Sequence, residues 1–342
     1  MSTMENKPFL LRPSGKDYLW GGRRLKDEFE KNIDMSPLAE TWECSTHPDG
    51  PSYVVGGEYD GVTLTEVLQA HPEYLGSHPI TKGELPILIK FIDAKQDLSV
   101  QVHPTDAYAA EHENGSLGKT EMWYVLEAAP EAELVYGLSH EMTEEMLRES
   151  IADGSIAKYL QRVKVRKDDV FFVEAGIVHA LGAGVVVAEI QENSNLTYRL
   201  YDYDRVDGDG RKRELHVEKA IAVARLRSSA EPKQPMRVLK YRQGMASELL
   251  CRCKYFEVYR MLVNTECGQE VHRMPENSES GQAVHYRADA ISFRVLLCVD
   301  GCGDISYGDE VLKFRKGDCV FVPANSVELN ICGRATFLDV RG

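Results

Sequence analysis

Two polar residues stand two positions apart in the apolar run SVQVHPTD, residues 99–106. Side chains of a strand alternate between its faces, so Gln101 and His103 project from one face about 6 to 7 Å apart along the chain. Glu121, which opens the run EMWYVLEA, and His179, which follows a turn of small residues, are two further candidates. Imidazole nitrogens and a carboxylate suit a divalent ion of the zinc type, and an amide oxygen can serve as a weaker fourth ligand. The four residues therefore predict a metal site whose ion keeps a net positive charge and acts as a Lewis acid.

Three cationic residues lie in the same segments. Lys90 is in the apolar run ILIKFIDA, Lys119 is two residues before Glu121, and Arg199 is in NLTYRLYDYDR. A buried cation is costly without an anionic partner, so cations facing a cavity favour an anionic ligand such as phosphate. The alternative is that Lys90 and Arg199 pair with nearby carboxylates of the chain itself.

Most of the apolar runs have the length and composition of β-strands. The runs ILIKFIDA, EMWYVLEA, VFFVEA, GVVVAEIQ, FEVYRMLV and FRVLLCV are bounded by Gly, Pro or Asp. This pattern predicts a mainly β protein built as a sandwich or barrel. Three segments have helical spacing instead: TLTEVLQAHPEYLG, in which Thr63 and Glu66 form a capping box, TEEMLRESIADGSIAKYLQRV and ELHVEKAIAVARL. We expect these segments to be surface helices packed on the β body.

An internal repeat indicates that one β unit occurs twice. Residues 165–179, VRKDDVFFVEAGIVH, align without a gap on residues 314–328, FRKGDCVFVPANSVE. In both copies a turn with basic and acidic residues leads into an apolar strand and then a turn of small residues. Similar apolar runs, YVLEA and LCVDG, precede the two copies. The repeat predicts two similar β domains in tandem.

The two copies differ in the residues that could bind a metal. His179 corresponds to Glu328 in the second copy, and neither Gln-x-His nor His-x-His occurs after residue 230. We therefore predict a metal-binding domain over residues 1–230 and a metal-free domain over residues 231–342. The polar stretch 227–237 would join them.

Composition narrows the possible functions. The chain has 342 residues and a formal net charge of −14, which argues against a general binder of nucleic acid or anionic membranes. We find no signal-peptide core and no apolar stretch near the about 18 residues of a membrane span, so we expect a cytoplasmic protein. Seven of the eight cysteines lie in residues 251–332 without a tight pairing pattern. They are expected to be reduced core residues, with neither a disulfide framework nor a zinc ribbon.

The motifs that carry these residues resemble the type I phosphomannose isomerases, also called mannose-6-phosphate isomerases. The resemblance runs in order through YLWGG, LAETWECSTHPDGPS, LPILIKFIDAKQDLSVQVHPTD, GKTEMWYVLEA, AGIVHALGAG and IQENSNLTYRLYDYDR, and it covers most of residues 7–205. The chain is similar to the short bacterial branch of this family, in the cupin superfamily. The resemblance implies two tandem cupin domains, which are jelly-roll β-barrels, with a few surface helices.

The resemblance also implies a reaction and a set of site residues. The reaction would interconvert mannose 6-phosphate and fructose 6-phosphate through an enediol, carried out by a monomer or homodimer. Four residues would bind one Zn²⁺ per chain: Gln101, His103, Glu121 and His179. Five residues would contact the substrate, the first three with catalytic roles: Arg199, Lys119, Lys90, Glu40 and Trp20.

Several alternatives stay open at this point. The proton on carbon 2 could be removed by a lysine of depressed pKa, by a carboxylate such as Glu40 or by metal-bound hydroxide, and the sequence does not rank them. Three rival functions are an Fe²⁺-dependent cupin dioxygenase, a non-enzymatic sugar-binding protein with two cupin domains, and an isomerase of glucose 6-phosphate. The cations beside the Gln ligand disfavour the first, the intact ligand set disfavours the second, and the family motifs disfavour the third.

Overall fold

The structure, a computed structural model, describes residues 6–81, 83–206, 208–265 and 283–342. The strands in the first half of the chain are β1 (Phe9–Arg12), β2 (Ser14–Lys16), β3 (Glu40–Cys44), β4 (Tyr53–Val55), β5 (Ile87–Ala94), β6 (Val100–Val102), β7 (Glu121–Ala128), β8 (Glu133–Leu138), β9 (Leu160–Lys164), β10 (Val170–Val173), β11 (His179–Leu181), β12 (Val185–Glu192) and β13 (Tyr198–Tyr201). The later strands are β14 (Lys240–Arg242), β15 (Met245–Arg252), β16 (Glu257–Asn264), β17 (Val284–Tyr286), β18 (Arg294–Tyr307), β19 (Glu310–Arg315), β20 (Cys319–Val322) and β21 (Leu329–Arg341). The helices are α1 (Arg24–Asp27), α2 (Leu64–Ala70), α3 (Asp106–His112), α4 (Glu144–Ala152) and α5 (Val217–Val223), with 3₁₀ turns at Pro72–Leu75 and Ser155–Lys158. The chain is mainly β with few helices, as predicted.

The strands form three sheets. One has the order β10-β7-β12-β5-β3-β2, and a second has the order β13-β6-β11-β8-β9. The third has the order β14-β15-β16-β21-β18-β20-β1-β4, with β17 beside β21 and β19 beside β18. Within the described residues none of these strand orders closes on itself, so the pair of closed cupin barrels stays a prediction.

The central strands of the six-stranded sheet are buried on both faces. Every residue of β5 and of β12 is buried, which is why both strands read as nearly continuous apolar runs. Ile92 and Val187 belong to a cluster with Leu181 of the five-stranded sheet. Phe91, on the opposite face, belongs to a cluster that includes Phe293 near β18. The sheet is therefore shared between two apolar cores, and the candidate site lies on its Ile92 face.

The repeat found in the sequence is present in the backbone. The backbone N–H of Arg166 donates to the Asp169 carboxylate at 2.8 Å, and that of Arg315 donates to Asp318 at 2.9 Å. These matching turns lead into β10 and β20, which pair with β7 and β18 respectively. Matching bulges also interrupt the pairing of β3 with β5 and of β15 with β16.

Part of the N-terminal segment joins the sheet of the C-terminal half. β1 pairs with β20, with Phe9 opposite Phe321, and β4 pairs with β1. These two strands cover the edge of β20 that would otherwise present unpaired backbone groups. Residues 9–12 and 53–55 thus belong by pairing to the second half, although the sequence-based division assigned them to 1–230. The boundary at residue 230 itself stays a prediction.

Each of the three predicted helical segments contains a helix, but one of these helices is shorter than predicted, and α1 and α3 were not predicted. The predicted capping box at the start of α2 is present, since the Thr63 side chain accepts from the backbone N–H of Glu66 and the Glu66 side chain accepts from Thr63. The second predicted helix ends early, because α4 is followed by Gly154 at φ +74° and then by the strand Leu160–Lys164. No helix in the described ranges is long and apolar enough to cross a membrane.

The cysteines are free wherever the structure describes them. Four of these are buried: Cys44, Cys251, Cys298 and Cys319. Burial raises the pKa of the Cys44 thiol above its ordinary value, which favours the neutral thiol of a core residue. Cys267 lies outside the described residues.

Candidate active site

Three of the predicted metal ligands form one buried cluster. The candidate ligand atoms of His103, Glu121 and His179 all lie within 4.8 Å of one another. Glu121 opens β7 in the six-stranded sheet, whereas His179 opens β11 in the five-stranded sheet. Glu121 Oε1 is 3.3 Å from His179 Nε2, and Glu121 Oε2 is 3.5 Å from His103 Nε2. The carboxylate thus bridges the two sheets between the two imidazoles.

The fourth predicted ligand, Gln101, lies beside this cluster. Gln101 is directly opposite His179 where β6 pairs with β11, and its amide nitrogen is 3.3 Å from His179 Nε2. The pairing of β6 and β11 and the two-residue spacing of Gln101 and His103 therefore bring all four candidates together.

The hydrogen bonds of the two histidines suit a metal site. Nδ1 of His103 is 2.9 Å from the carbonyl of Leu196, and Nδ1 of His179 is 2.8 Å from the carbonyl of Ile177. A carbonyl can only accept, so each Nδ1 carries the proton and each Nε2 offers a lone pair to the cluster. In the described chain, His103 Nε2 and Glu121 Oε1 are buried without a hydrogen-bond partner. Buried polar atoms normally have a partner, and a divalent cation would supply one here.

The charge states of these residues also suit a metal ion. Burial, together with the positive charge of Lys119, lowers the pKa of His103 to about 3. Burial also lowers the pKa of His179. Burial by itself would raise the pKa of Glu121, but Lys119, 2.7 Å away, and the two histidines hold it well below its ordinary value. The cluster therefore presents two neutral imidazoles and one carboxylate, the protonation states that bind metal.

Glu189 lies between the two predicted lysines, and the sequence analysis did not select it. Its Oε1 is 3.4 Å from Lys90 Nζ and 3.5 Å from Lys119 Nζ. Lys90 is also 3.8 Å from Glu40, so the alternative that Lys90 pairs with carboxylates is what the structure shows. The available signal was one acidic residue inside the apolar run GVVVAEIQ. A buried strand position of that kind calls for a cationic partner.

Two tryptophans hold the carboxylates of this network. Glu189 is opposite Lys90 on one side and Trp123 on the other, and Trp42 is opposite Lys90 on the next strand. The indole of Trp123 donates to Glu189 at 3.0 Å, and that of Trp42 donates to Glu40 at 2.8 Å. Lys90 Nζ lies 4.8 Å from the Trp42 ring centroid. A row of side chains across β7, β12, β5 and β3 therefore fixes both acids and one lysine.

A cavity of about 240 Å³ opens beside the cluster. Its lining includes Gln101 and the five residues predicted to contact substrate: Trp20, Glu40, Lys90, Lys119 and Arg199. The lining residues that the sequence analysis did not select are Tyr18, Ile92, Leu98, Ser99, Glu189, Asn195, Thr197 and Arg213. Gln101 and Lys119 contact both the cavity and the His–Glu–His cluster. The cavity therefore reaches the metal cluster through these two side chains.

Arg199 differs from the two lysines because it has no carboxylate within ion-pair distance among the described residues. Its Nε donates to the Ser99 hydroxyl at 3.3 Å, and its Nη1 donates to the carbonyl of Glu214 at 2.8 Å. Burial, and the like charge of Arg213, lower the pKa of Arg199. A half-buried cation with only neutral acceptors fits an anionic ligand better than a structural ion pair.

Comparison with known proteins identifies the family. A family model for the catalytic domain of type I phosphomannose isomerase matches residues 9–144, and one for the cupin domain of mannose-6-phosphate isomerase matches residues 283–341. Mannose-6-phosphate isomerase ManA of Bacillus subtilis is 36% identical over 335 residues, which cover 97% of this chain and 98% of ManA. This chain belongs to the type I phosphomannose isomerase family. The mannose-6-phosphate isomerase of Streptococcus mutans is 36% identical over 93% of the chain and 92% of its own length. The crystal structure of the Bacillus subtilis mannose 6-phosphate isomerase matches with a TM-score of 0.85 and 34% identity, over 98% of this chain and 99% of that one.

The C-terminal half of this isomerase-family chain shares the framework but has other residues at the positions equivalent to the metal ligands Glu121 and His179. Glu121 is opposite Val173 where β7 pairs with β10, and Arg294 is opposite Val322 where β18 pairs with β20. Val173 and Val322 are equivalent in the repeat, so Arg294 occupies the position of Glu121. Arg294 forms an ion pair with Asp339 at 3.4 Å. No second cluster of His, Cys, Asp and Glu suited to a metal is found in the part of the chain that the structure describes.

Proposed function

We propose that this chain is a zinc-dependent aldose–ketose isomerase that interconverts mannose 6-phosphate and fructose 6-phosphate through an enediol intermediate. The observation that carries the proposal is a buried His–Glu–His cluster at a cavity lined by Lys90, Lys119 and Arg199. Membership of the type I phosphomannose isomerase family supports it, as do relatives named mannose-6-phosphate isomerase over nearly the full length. An uncharged substrate would leave Arg199 without an anion.

The donor set supports zinc as the metal. Two imidazoles, a carboxylate and an amide are nitrogen and oxygen donors that zinc accepts in catalytic sites. Four residues would hold it: Gln101, His103, Glu121 and His179. When bound, the ion would supply a positive charge that polarises an oxygen of the sugar.

The lysines supply fixed positive charge close to the sugar oxygens. Burial would lower the pKa of Lys119, but Glu121 and Glu189 raise it above its ordinary value, so Lys119 stays protonated. We therefore assign Lys119 to hydrogen-bond donation toward the developing enediolate oxygen. The alternative of a lysine base with a depressed pKa is disfavoured for this residue.

A carboxylate is the better candidate for moving the proton between carbons 1 and 2. Glu189 is held by Trp123, Lys90 and Lys119. Glu40 accepts from Trp42 at 2.8 Å but is 3.8 Å from Lys90. Both carboxylates line the cavity, and because Glu40 has the fewer close donors, we assign the proton transfer to Glu40.

Product analysis by NMR tests the proposal. The zinc-loaded protein is incubated separately with mannose 6-phosphate, glucose 6-phosphate and unphosphorylated mannose. We expect fructose 6-phosphate from the first substrate at a rate far above that from the other two. The absence of any product from mannose 6-phosphate would contradict the proposal, and faster conversion of glucose 6-phosphate would favour the rival isomerase.

The assignment of Glu40 has a separate test. The variant Glu40→Gln keeps the size and the hydrogen-bond acceptor but removes the basic group. We expect kcat to fall by about 100-fold or more, the usual range for loss of a general base, while KM changes little. A Glu40→Gln enzyme with wild-type kcat would move the proton transfer to another group.

A further inference from the structure

The cavity has two chemically different ends. Lys90 and Lys119, each 4% exposed, lie at the deep end with their carboxylate partners. Arg213, which is 31% exposed, lines the same cavity toward solvent, as does the half-buried Arg199. We propose that Arg213 and Arg199 together bind the phosphate group of the substrate, and that Asp202 is the residue that positions Arg213. This inference rests on the proposed function, since it names the part of the site that recognises the phosphate.

The spacing along β6 separates the phosphate end from the metal end. Arg199 is opposite Gln101 across the β13–β6 pairing, but its guanidinium turns to Ser99. Ser99 is two residues before Gln101 and therefore on the same face, about 6.6 Å farther along the strand. A substrate with its reacting carbons near Gln101 thus extends its opposite end toward Arg199 and Arg213.

Asp202 fixes the Arg213 side chain with two hydrogen bonds. Arg213 Nε donates to one carboxylate oxygen at 2.8 Å, and its Nη2 donates to the other at 2.6 Å. Asp202 is only 5% exposed, so the carboxylate that accepts this bidentate pair of hydrogen bonds, the fork, is buried. In the described residues Nη1 of Arg213 makes no hydrogen bond. Its two N–H groups are therefore available to a ligand in the cavity.

The local charge suits a phosphate monoester. Asp202 also accepts from Arg205 at 2.6 Å, so one carboxylate pairs with two arginines. Arg199 and Arg213 both line this cavity, whereas Arg205 does not, so two guanidinium cations are available to an anion at this end. A phosphate monoester carries about −1.5 to −2 at neutral pH. Two guanidinium groups suit an anion of this kind, although the whole chain has a net charge of −14.

Neutral hydroxyl donors complete this end of the cavity. Burial, and the nearby carboxylate of Glu40, raise the pKa of Tyr18 to about 12, so its hydroxyl stays protonated and can donate. Ser99 and Thr197 also line the cavity. Phosphate oxygens accept several hydrogen bonds at once, and a set of arginine and hydroxyl donors is the kind that binds them.

Substitution of Arg213 tests the inference through KM and through phosphate binding. For Arg213→Gln we expect KM for mannose 6-phosphate to rise about 10- to 100-fold, the range for one lost charge-assisted hydrogen-bonding group, with kcat changed less than about threefold. The inhibition constant of inorganic phosphate should rise by a similar factor. Lys212→Gln is the matched control, because Lys212 is the preceding residue, pairs with Asp204 at 2.6 Å and does not line this cavity. An Arg213→Gln enzyme with the KM and phosphate inhibition of the control would overturn the inference.

Asp202→Asn tests the positioning role separately. This variant keeps Arg213 but weakens the fork that orients it, so we expect a smaller rise in KM than in Arg213→Gln and no further rise in the double variant. Thermal melting checks that Asp202→Asn is folded; if it is not, the comparison of Arg213→Lys with Arg213→Gln replaces it. A lysine keeps the charge without the fork, so partial recovery of KM is expected, and no recovery would contradict a role in anion binding.

Direct binding of inorganic phosphate separates this inference from the proposed function. Calorimetric titration of phosphate into the zinc-loaded protein requires no turnover. Phosphate binding that is lost in Arg213→Gln would support the inference even if the protein isomerised no sugar phosphate. Active isomerase with phosphate binding that is unaffected by Arg213→Gln would overturn the inference and leave the proposed function standing.

Discussion

Glu189→Gln most sharply probes the buried charge network at the candidate site. The Glu189 side chain is 5% exposed, and its Oε1 is 3.4 Å from Lys90 and 3.5 Å from Lys119. Its Oε2 accepts from the indole of Trp123 at 3.0 Å. The substitution keeps the shape and the acceptor for Trp123, but it removes the negative charge between two buried ammonium groups.

The expected cost follows from the distances. At an effective dielectric constant of about 20, one pair of unit charges separated by 3.4 Å interacts with about 5 kcal/mol. Lys90 and Lys119 keep their contacts with Glu40 and Glu121, and the neutral amide is cheaper to bury than a carboxylate. We therefore expect the free energy of unfolding to fall by about 3 to 5 kcal/mol, the range for breaking a buried ion pair.

Urea unfolding of metal-free protein measures this cost, with Glu127→Gln as the matched control. Glu127 also pairs with a lysine, Lys167, at 2.9 Å, but the two side chains are 31% and 60% exposed. Screening by solvent limits that pair to about 0 to 1 kcal/mol. If Glu189→Gln lowers the free energy of unfolding no more than Glu127→Gln does, the account of a tightly coupled buried network is wrong.

Three further predictions concern the metal cluster and its surroundings. His179→Ala should weaken zinc binding, measured by equilibrium dialysis. The loss should exceed the about 10- to 100-fold that is typical when a residue that only orients a ligand is replaced. Unchanged affinity would remove His179 from the ligand set. Burial, with the neighbouring Asp106, raises the pKa of Glu192 to about 8 from an ordinary value of 4.5. Between these two pH values the folded protein holds a proton that the unfolded chain releases. The free energy of unfolding should therefore fall as pH rises from about 4.5 to 8. The urea midpoint of Glu192→Gln should vary less with pH across that window, and an unchanged pH dependence would contradict the raised pKa of Glu192. Tyr255→Phe removes a 2.8 Å hydrogen bond to Asp106, which also accepts from the backbone N–H of Gly118 beside Lys119. The free energy of unfolding should fall by about 0.5 to 1.5 kcal/mol. A loss below the error of the urea titration would show that this contact between the two halves is dispensable.

Local patterns in the sequence were sufficient for most of the elements. The run ILIKFIDA is the strand Ile87–Ala94 and EMWYVLEA is Glu121–Ala128, with no difference at either end. The gapless repeat also predicted the matching turns before β10 and β20. These features depend on neighbours within a few residues, so composition and spacing carry enough information.

Some of the features that the sequence analysis missed depend on pairing between distant segments. Nothing near Phe9 indicates that it lies opposite Phe321, because that register is set by packing across more than three hundred residues. The early end of α4 at Ala152 reflects the left-handed Gly154 and the strand that follows. Apolar spacing alone did not separate the end of the helix from a short strand.

The residues of the candidate site were also predicted only in part from the sequence. Gln101 and His103 could be paired by period-two geometry, and the strand register then brings His179 opposite Gln101. Glu189 needed the pairing of β12 with β5 to be recognised as the partner of Lys90. Arg213 comes from a loop, where no periodicity predicts which cavity a side chain lines.

Zinc-dependent turnover of mannose 6-phosphate is the measurement that tests the central claim most directly. The protein is stripped of metal with a chelator, and formation of fructose 6-phosphate is followed in a coupled assay before and after zinc is added, with His103→Ala alongside. We predict no turnover by the stripped protein, recovery with about one zinc per chain, and no recovery in His103→Ala. Full activity in the stripped protein or in His103→Ala would contradict the metal centre, and no activity in the zinc-loaded protein would contradict the isomerase.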